Sequence, residues 1–199
     1  HGMFKYQHVG EWYIVACQRA ARPFDEGEQK RPYPDHYSLA MVLLASKLQE
    51  ETRKIAKESG RNMWLRVGVH CGPVAGAVVG AHRSFYCLYG DTINTSARMC
   101  KYADSDIVHA SPEMAAQIQS IGTSLIAVES RGTREIKGKG ALETFNLVVK
   151  GDEAAVEALR KELMEGGALA GGRRRRFISM LETRAHSSVV LESPPMVQA

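Results

Sequence analysis

The stretch Phe85–Met99, F-Y-C-L-Y-G-D-T-I-N-T-S-A-R-M, constrains the fold more than any other part of the chain. Its first five residues, Phe85–Tyr89, are apolar or aromatic and are typical of a buried strand. Gly90 interrupts that run, and Asp91 then stands where its carboxylate can cap a helix. Since the residues from Thr92 onward have a helical pattern, we predict a strand, a glycine turn and a helix capped by Asp91.

Two polar side chains of this helix, Asn94 and Arg98, are four residues apart and therefore project from the same face. An amide and a guanidinium near the positive end of a helix suit a polyanion, above all a phosphate. Cys87, on the preceding strand, is expected to face the same space. The same spacing is also common on solvated helix faces, so this pair alone does not decide between the two interpretations.

Two further segments accompany this stretch, in a fixed order. Leu65–Gly80 reads L-R-V-G-V-H-C-G-P-V-A-G-A-V-V-G, and Arg131–Gly140 reads R-G-T-R-E-I-K-G-K-G. Together the three motifs resemble the catalytic domain of the class III nucleotide cyclases, over about Lys5 to Val149, and the central motif is most similar to guanylate cyclases. The resemblance implies an α/β (α+β) fold with a ferredoxin-like βαββαβ core, a mostly antiparallel sheet and helices on one face.

The resemblance also implies a reaction. A guanylate cyclase converts GTP to 3′,5′-cyclic GMP and pyrophosphate in intracellular signalling, using two Mg²⁺ or Mn²⁺ ions. Its sites lie between two cyclase domains, which pair as a homodimer or a heterodimer. The residues of this sequence that match the family are, by implied role, Cys87 at the base, Asn94 at the ribose, Arg98 at the reacting phosphorus and Lys137 at the terminal phosphates.

Two residues depart from the family pattern. Gln7 stands where guanylate cyclases place Glu and adenylate cyclases place Lys to read the purine, and Glu11 stands where a metal-binding aspartate is expected. The first metal-binding aspartate, from an F-x-D-x-x-x-F-T strand, has no counterpart, so we interpret the chain as a fragment without the first elements of the domain. Since Gln7 can donate or accept a hydrogen bond, an adenylate cyclase using ATP stays open. A non-catalytic module that binds nucleotide and supports a partner cyclase domain stays open as well.

The rest of the sequence predicts alternating strands and helices. Lys5–Cys17 is typical of a hairpin that turns at Gly10-Glu11, and Arg19–Pro34 of a surface loop. His70, alone on a strand beside glycines, is predicted to be structural. We expect helices at about 36–58 (capped by Asp35), 112–120 and 152–165, and strands at 65–71, 74–80, 107–110, 125–129, 133–136 and 144–149.

Composition bounds the remaining possibilities. We expect a cyclase domain over residues 1–150, a C-terminal helix over 151–165 and a disordered tail over 166–199 that contributes little to pairing. The net charge of +4 owes much to the run Arg173–Arg176 and does not indicate a nucleic-acid partner. No apolar run approaches the roughly 18 residues of a membrane span, so we expect membrane contact only through parts outside this chain. The four cysteines have no C-x-x-C spacing, which favours a reducing, cytoplasmic location.

Overall fold

The computed structural model describes residues 3–9, 12–17, 20, 22, 25–30, 36–151, 153–166 and 186–192. The strands in this part of the chain are β1 Phe4–Val9, β2 Trp12–Ala16, β3 Arg66–Gly72, β4 Ala75–Val79, β5 Phe85–Tyr89, β6 Val108–Ala110, β7 Ile126–Ile136, β8 Gly140–Val149 and β9 His186–Glu192. The helices are α1 Glu26–Lys30, α2 His36–Ser59, α3 Asp91–Lys101, α4 Pro112–Ile121 and α5 Glu153–Gly166.

Seven of these strands form one sheet in the order β1-β2-β9-β3-β6-β8-β7, and β4 and β5 form a separate two-stranded ribbon. In the main sheet β3 and β6 are parallel, and all the other neighbours are antiparallel. The expected mixed α/β fold with a mostly antiparallel sheet is therefore confirmed.

The main core lies between the sheet and the helices α2 and α4. The α2 sequence repeats apolar residues at helical spacing, and the resulting stripe packs on alternate residues of β3, Val67 and Val69. Helix α5 contacts α2 on the same side, whereas α3 crosses the opposite face of the sheet at Gly68. The expectation of helices on one face thus holds for three helices and is wrong for α3.

Local sequence signals predicted the ends of most helices and strands to within one or two residues. Gly60, with a φ of 65°, follows the end of α2, and Ser111 caps α4 by accepting a hydrogen bond from the backbone N–H of Met114. The predicted hairpin at the start of the chain is present, although Gly10, Glu11 and the proposed cap Asp35 lie outside the described residues.

Three further expectations, each about one segment, were wrong. The loop predicted over Arg19–Pro34 contains the short helix α1. The strands predicted at 125–129 and 133–136 are one strand, β7, because an irregularity between Ser130 and Thr133 lets pairing with β8 continue past Gly132. The tail predicted to be disordered over 166–199 contains β9, which pairs with β2 on one side and β3 on the other; its other residues from 167 onward lie outside the described part.

Candidate active site

The close crossing of α3 over β3 positions the site. A Cβ atom at Gly68 would lie 2.0 Å from the backbone nitrogen of Cys100 and 2.5 Å from the carbonyl oxygen of Ser96. Only glycine has no side chain to fill that gap. Helix α3 is therefore held directly against the sheet, and its exposed face is fixed relative to the strands.

The start of α3 differs from the prediction. Gly90, with a φ of 134°, is the residue before the helix, and no side chain caps it; Asp91 is the first helical residue. The Asp91 carboxylate instead forms an ion pair with Lys139 and accepts a hydrogen bond from Thr95 Oγ1 at 3.2 Å. The hydrogen bond from Lys139, more than any other contact, holds the pKa of Asp91 below its ordinary value.

The hairpin between β7 and β8, Lys137–Gly140, folds against α3. A Cβ atom at Gly138 would lie 3.2 Å from the Nη2 atom of Arg98, and Lys139 reaches Asp91. The hairpin and the guanidinium of Arg98 therefore lie together although they are about forty residues apart in sequence. The side chain of Lys137 is exposed.

Asn94 and Arg98 occupy different parts of the helix. Asn94 is exposed in the first half of α3, whereas half-buried Arg98 lies in its last turn. The partial positive charge at the N-terminus of α3 therefore lies near Asn94. Arg98 is far from that terminus and contributes only the charge of its own guanidinium. The expectation that both lie near the positive terminus was wrong for Arg98.

The two residues predicted to contact the purine base lie on strands of different sheets. Half-buried Cys87 is on β5, and its hydrogen bond raises the pKa of Tyr89, two residues along the strand. Gln7 is exposed on β1. The two strands meet where the backbone N–H of Leu88 donates a hydrogen bond to the Oη atom of Tyr6 at 2.9 Å. Since Gln7 follows Tyr6 and Cys87 precedes Leu88, both candidates flank this contact.

The metal-binding half of the site has less support. Glu11, the predicted metal ligand, lies outside the described residues. Within the part of the chain that is described, no three His, Cys, Asp or Glu side chains are grouped so that they could hold a metal ion.

His70 is buried beside the site and contacts buried Ser111 and exposed Glu113. Its Nδ1 atom is 2.7 Å from Ser111 Oγ and 3.4 Å from a carboxylate oxygen of Glu113. The hydrogen bond with His70 is the largest of the effects that lower the pKa of Glu113 to about 2. These contacts connect the end of β3 to the start of α4, which agrees with the structural role predicted for His70.

The family model described as the adenylate and guanylate cyclase catalytic domain matches residues 1–149. The chain belongs to this family. Guanylate cyclase 32E of Drosophila melanogaster is 36% identical over 145 residues, which are 73% of this chain and 12% of that protein. This cyclase chain thus spans about an eighth of the length of that relative.

Solved cyclase domains have the same fold. The guanylate cyclase domain of RhGC from Catenaria anguillulae, solved in complex with GTP, superimposes with a TM-score of 0.60 at 24% identity, covering 75% of this chain and 74% of that one. A dimeric guanylyl cyclase domain of the RhoGC fusion protein from Blastocladiella emersonii superimposes with a TM-score of 0.57 at 20% identity, covering 75% and 74%.

Sequence reasoning missed Lys139 as a residue of this site. The K-G-K-G motif indicated cations on a flexible loop, but it did not indicate which lysine reaches α3. Asp91 had been assigned to a local cap, so its ion pair with a residue 48 positions away was not expected.

Proposed function

We propose that the chain is the substrate-binding part of a guanylate cyclase domain, which converts GTP to 3′,5′-cyclic GMP and pyrophosphate in intracellular signalling. The observation that supports this most is the packing of the Lys137–Gly140 hairpin against α3. It brings Gly138 against Arg98 and Lys139 to Asp91, with Lys137 exposed in the same hairpin, Asn94 on the same helix and Cys87 on the strand before it. Such an arrangement suits a triphosphate with a nucleoside attached.

In the proposed reaction the ribose 3′-oxygen bonds to the α-phosphorus, the bond from that phosphorus to the bridging oxygen breaks, and pyrophosphate leaves as the 3′-hydroxyl loses its proton. Arg98 stabilises the charge that develops at the phosphorus, Asn94 orients the ribose, and Lys137 holds the terminal phosphates. Cyclase catalytic domains generally depend on divalent metal ions. Mg²⁺ or Mn²⁺, two per complete site, would activate the 3′-oxygen and neutralise the phosphates.

We propose that the substrate is read by Gln7 and Cys87. Gln7 presents one acceptor and one donor to the purine, whereas a glutamate would accept two hydrogen bonds from guanine. GTP is therefore expected to be preferred by a modest margin, with some use of ATP.

We further propose that the complete site forms between two cyclase domains. The β4–β5 ribbon, which stands apart from the main sheet, supports this, because it exposes the large apolar residues Val78, Val79, Phe85 and Tyr89. Val79 and Phe85 are directly opposite each other in the ribbon, so their side chains form one apolar patch. A second cyclase domain, from a second copy or a different chain, would cover this patch.

The pairing is tested by Phe85→Asp, with Ile55→Asp, an apolar site of similar exposure on α2, as the matched control. Sedimentation should show weaker dimerisation only in the first variant. Equal dimerisation of both would rule out the ribbon as the interface.

We propose a cytoplasmic location, which the four free cysteines support because thiols persist in reducing compartments. Among the described helices, none has both the length and the apolarity that a membrane span requires.

A second candidate function is a nucleotide-binding domain that supports a partner cyclase domain without reacting itself. The two departures from the family pattern, Gln7 and Glu11, favour it. At position 11, glutamate places its carboxylate about 1.5 Å beyond that of aspartate, while Mg²⁺ requires near-ideal octahedral geometry at about 2.0–2.1 Å.

One experiment separates the two functions. The chain is mixed with Mn²⁺ and GTP, alone and with a partner cyclase domain that carries its own metal carboxylates. Binding of a fluorescent GTP analogue and formation of cyclic GMP are measured separately. Binding with cyclic GMP formed by the chain alone supports the enzyme, whereas binding with cyclic GMP formed only when the partner is present supports the second candidate. No binding under either condition would reject both.

A further inference from the structure

Strand β9 is the third of the seven strands of the main sheet, with neighbours on both sides, although it comes from near the end of the sequence. It pairs antiparallel with β2 over Trp12–Ala16 and with β3 over Arg66–Gly72. Among the described strands, β9 is the one through which the β1–β2 hairpin joins the remaining strands of the sheet. An interior position of the sheet is thus filled by a segment that is separated in sequence from α5 by residues 167–185.

Through β9, one row of paired residues connects the hairpin that carries Gln7 with the point where α3 crosses the sheet. Gln7 is opposite Ile14, Ile14 is opposite Val190, and Val190 is opposite Gly68. Residues opposite each other in a sheet lie on the same face. Position 190 is therefore the step between the strand pair that carries Gln7 and the point where α3 crosses the sheet.

Helix α3 lies over this row. It contacts both β3 and β9, and its residue Cys100 is in an apolar cluster with Ile14 of β2. The distance from Gln7 to Arg98 across the site therefore depends on β9 occupying the space between β2 and β3.

We propose that residues 186–192 are a docking strand, and that the slot between β2 and β3 binds them within the same chain. The slot accepts an extended segment of seven residues, antiparallel to both neighbours. The sequence H-S-S-V-V-L-E, with two adjacent β-branched valines, suits such a position. The nineteen residues 167–185 can extend over about 60 Å, whereas seven strands span about 30 Å, so the segment can reach the slot of its own chain.

Docking also fixes the position of the hairpin that carries Gln7 relative to α3. With β9 in place, the hairpin that carries Gln7 is part of the same sheet that supports α3; without it, ladder hydrogen bonds no longer connect the two. The docking itself is independent of the proposed function, whereas its effect on nucleotide binding rests on it.

The docking is tested with a disulfide. Ser187 is directly opposite Cys71, and opposed residues of antiparallel strands have Cα atoms about 4.5–5.5 Å apart, within the range of a disulfide. Ser187→Cys is made in a Cys17→Ser background and oxidised mildly. The matched control adds Cys71→Ser.

We expect a disulfide between positions 71 and 187 within one chain, seen as a monomer on a non-reducing gel and as a linked peptide pair by mass spectrometry, and absent from the control. No such disulfide would overturn the proposal because another segment, or none, would fill the slot. A disulfide that joins two chains would overturn docking in the same chain.

A proline substitution tests both the docking of β9 and its effect on the position of the β1–β2 hairpin relative to α3. Val190→Pro removes a backbone donor from a strand paired on both sides, whereas Val197→Pro changes a residue beyond the strand. Hydrogen exchange should become at least tenfold faster in β2 and β3 of the first variant only, with β7 and β8 unaffected. Equal protection in the two variants would overturn the docking.

Binding of a fluorescent GTP analogue should weaken at least tenfold in Val190→Pro relative to Val197→Pro. If hydrogen exchange in β2 and β3 becomes faster but binding of the GTP analogue is unchanged, β9 docks in the slot but does not position the hairpin for nucleotide binding. If the unsubstituted chain binds no GTP, the proposed function fails, while the disulfide result still decides the docking.

Discussion

Lys139 forms an ion pair with Asp91 and so joins the β7–β8 hairpin to the first residue of α3. Both side chains keep solvent contact, at 30% exposure for Lys139 and 61% for Asp91. An exposed pair of this kind stabilises a fold by only about 0.2–1 kcal/mol. Its larger effect is to hold the hairpin beside Arg98.

The ion pair gives a first prediction. Asp91→Asn and Lys139→Gln should each lower the free energy of unfolding by less than about 1 kcal/mol, with a coupling of about 0.2–1 kcal/mol in a double-mutant cycle. The coupling should shrink as salt is added. Urea unfolding of the single and double variants measures it, and a coupling that does not respond to salt would mean that the contact is not ionic.

Arg98→Ala should reduce cyclisation by about 10²–10³-fold, because it removes a positioned donor at the developing charge. The matched control is Lys101→Ala, which removes an exposed cation from the same turn of α3. Cyclic GMP formation is measured with the partner domain present, and circular dichroism checks the fold. Retention of more than about half of the rate in Arg98→Ala would contradict the role given to Arg98.

Gln7→Glu should sharpen the preference for GTP. A carboxylate accepts two hydrogen bonds from guanine and repels the N1 acceptor of adenine, and the gain of one charge-assisted bond is worth about 1.5–3 kcal/mol. The two cyclic nucleotides are measured in competition between GTP and ATP with Mn²⁺. An unchanged ratio would show that position 7 does not face the base.

His109 gives the chain a dependence of stability on pH. Its side chain is fully buried, its Nδ1 atom is 2.7 Å from the carbonyl oxygen of Met99, and burial lowers its pKa to about 4. The unfolded chain therefore binds a proton more readily than the folded one below about pH 6.5. Above pH 6.5 the side chain of His109 is neutral in both states and does not lower the free energy of unfolding. Between pH 6.5 and 4.5 the free energy of unfolding should fall by about 2–3 kcal/mol.

His109→Asn is the matching variant, because an amide can replace the Nδ1–H donor without titrating. Its unfolding free energy should be lower at neutral pH but nearly flat between pH 6.5 and 4.5. Glu113, whose lowered pKa contributes stability that is lost only below about pH 4.5, does not obscure this range. An equal slope in the variant would assign the dependence to another group.

Local pattern was sufficient where a segment's neighbours in sequence decide its structure. The strand Phe85–Tyr89 and the helix after Gly90 follow from apolar runs and glycine, and their bounds agree with the structure. The cap assigned to Asp91 was wrong because a distant lysine competes for its carboxylate. The position of β9 was missed because its pairing partners, β2 and β3, are far from it in sequence, and a seven-residue strand has no pattern strong enough to indicate them.

Gly68 touches no part of the proposed nucleotide site, yet the height of α3 above the sheet depends on it. A genetic screen for loss of cyclase activity should therefore recover changes at position 68 as readily as changes at position 98. Alleles of the first kind would preserve every residue that contacts substrate and still displace them together, since the helix moves as a unit. Because the atoms that a side chain at position 68 would meet belong to the backbone of α3, neither smaller residues on the helix nor restored charge would suppress their defect.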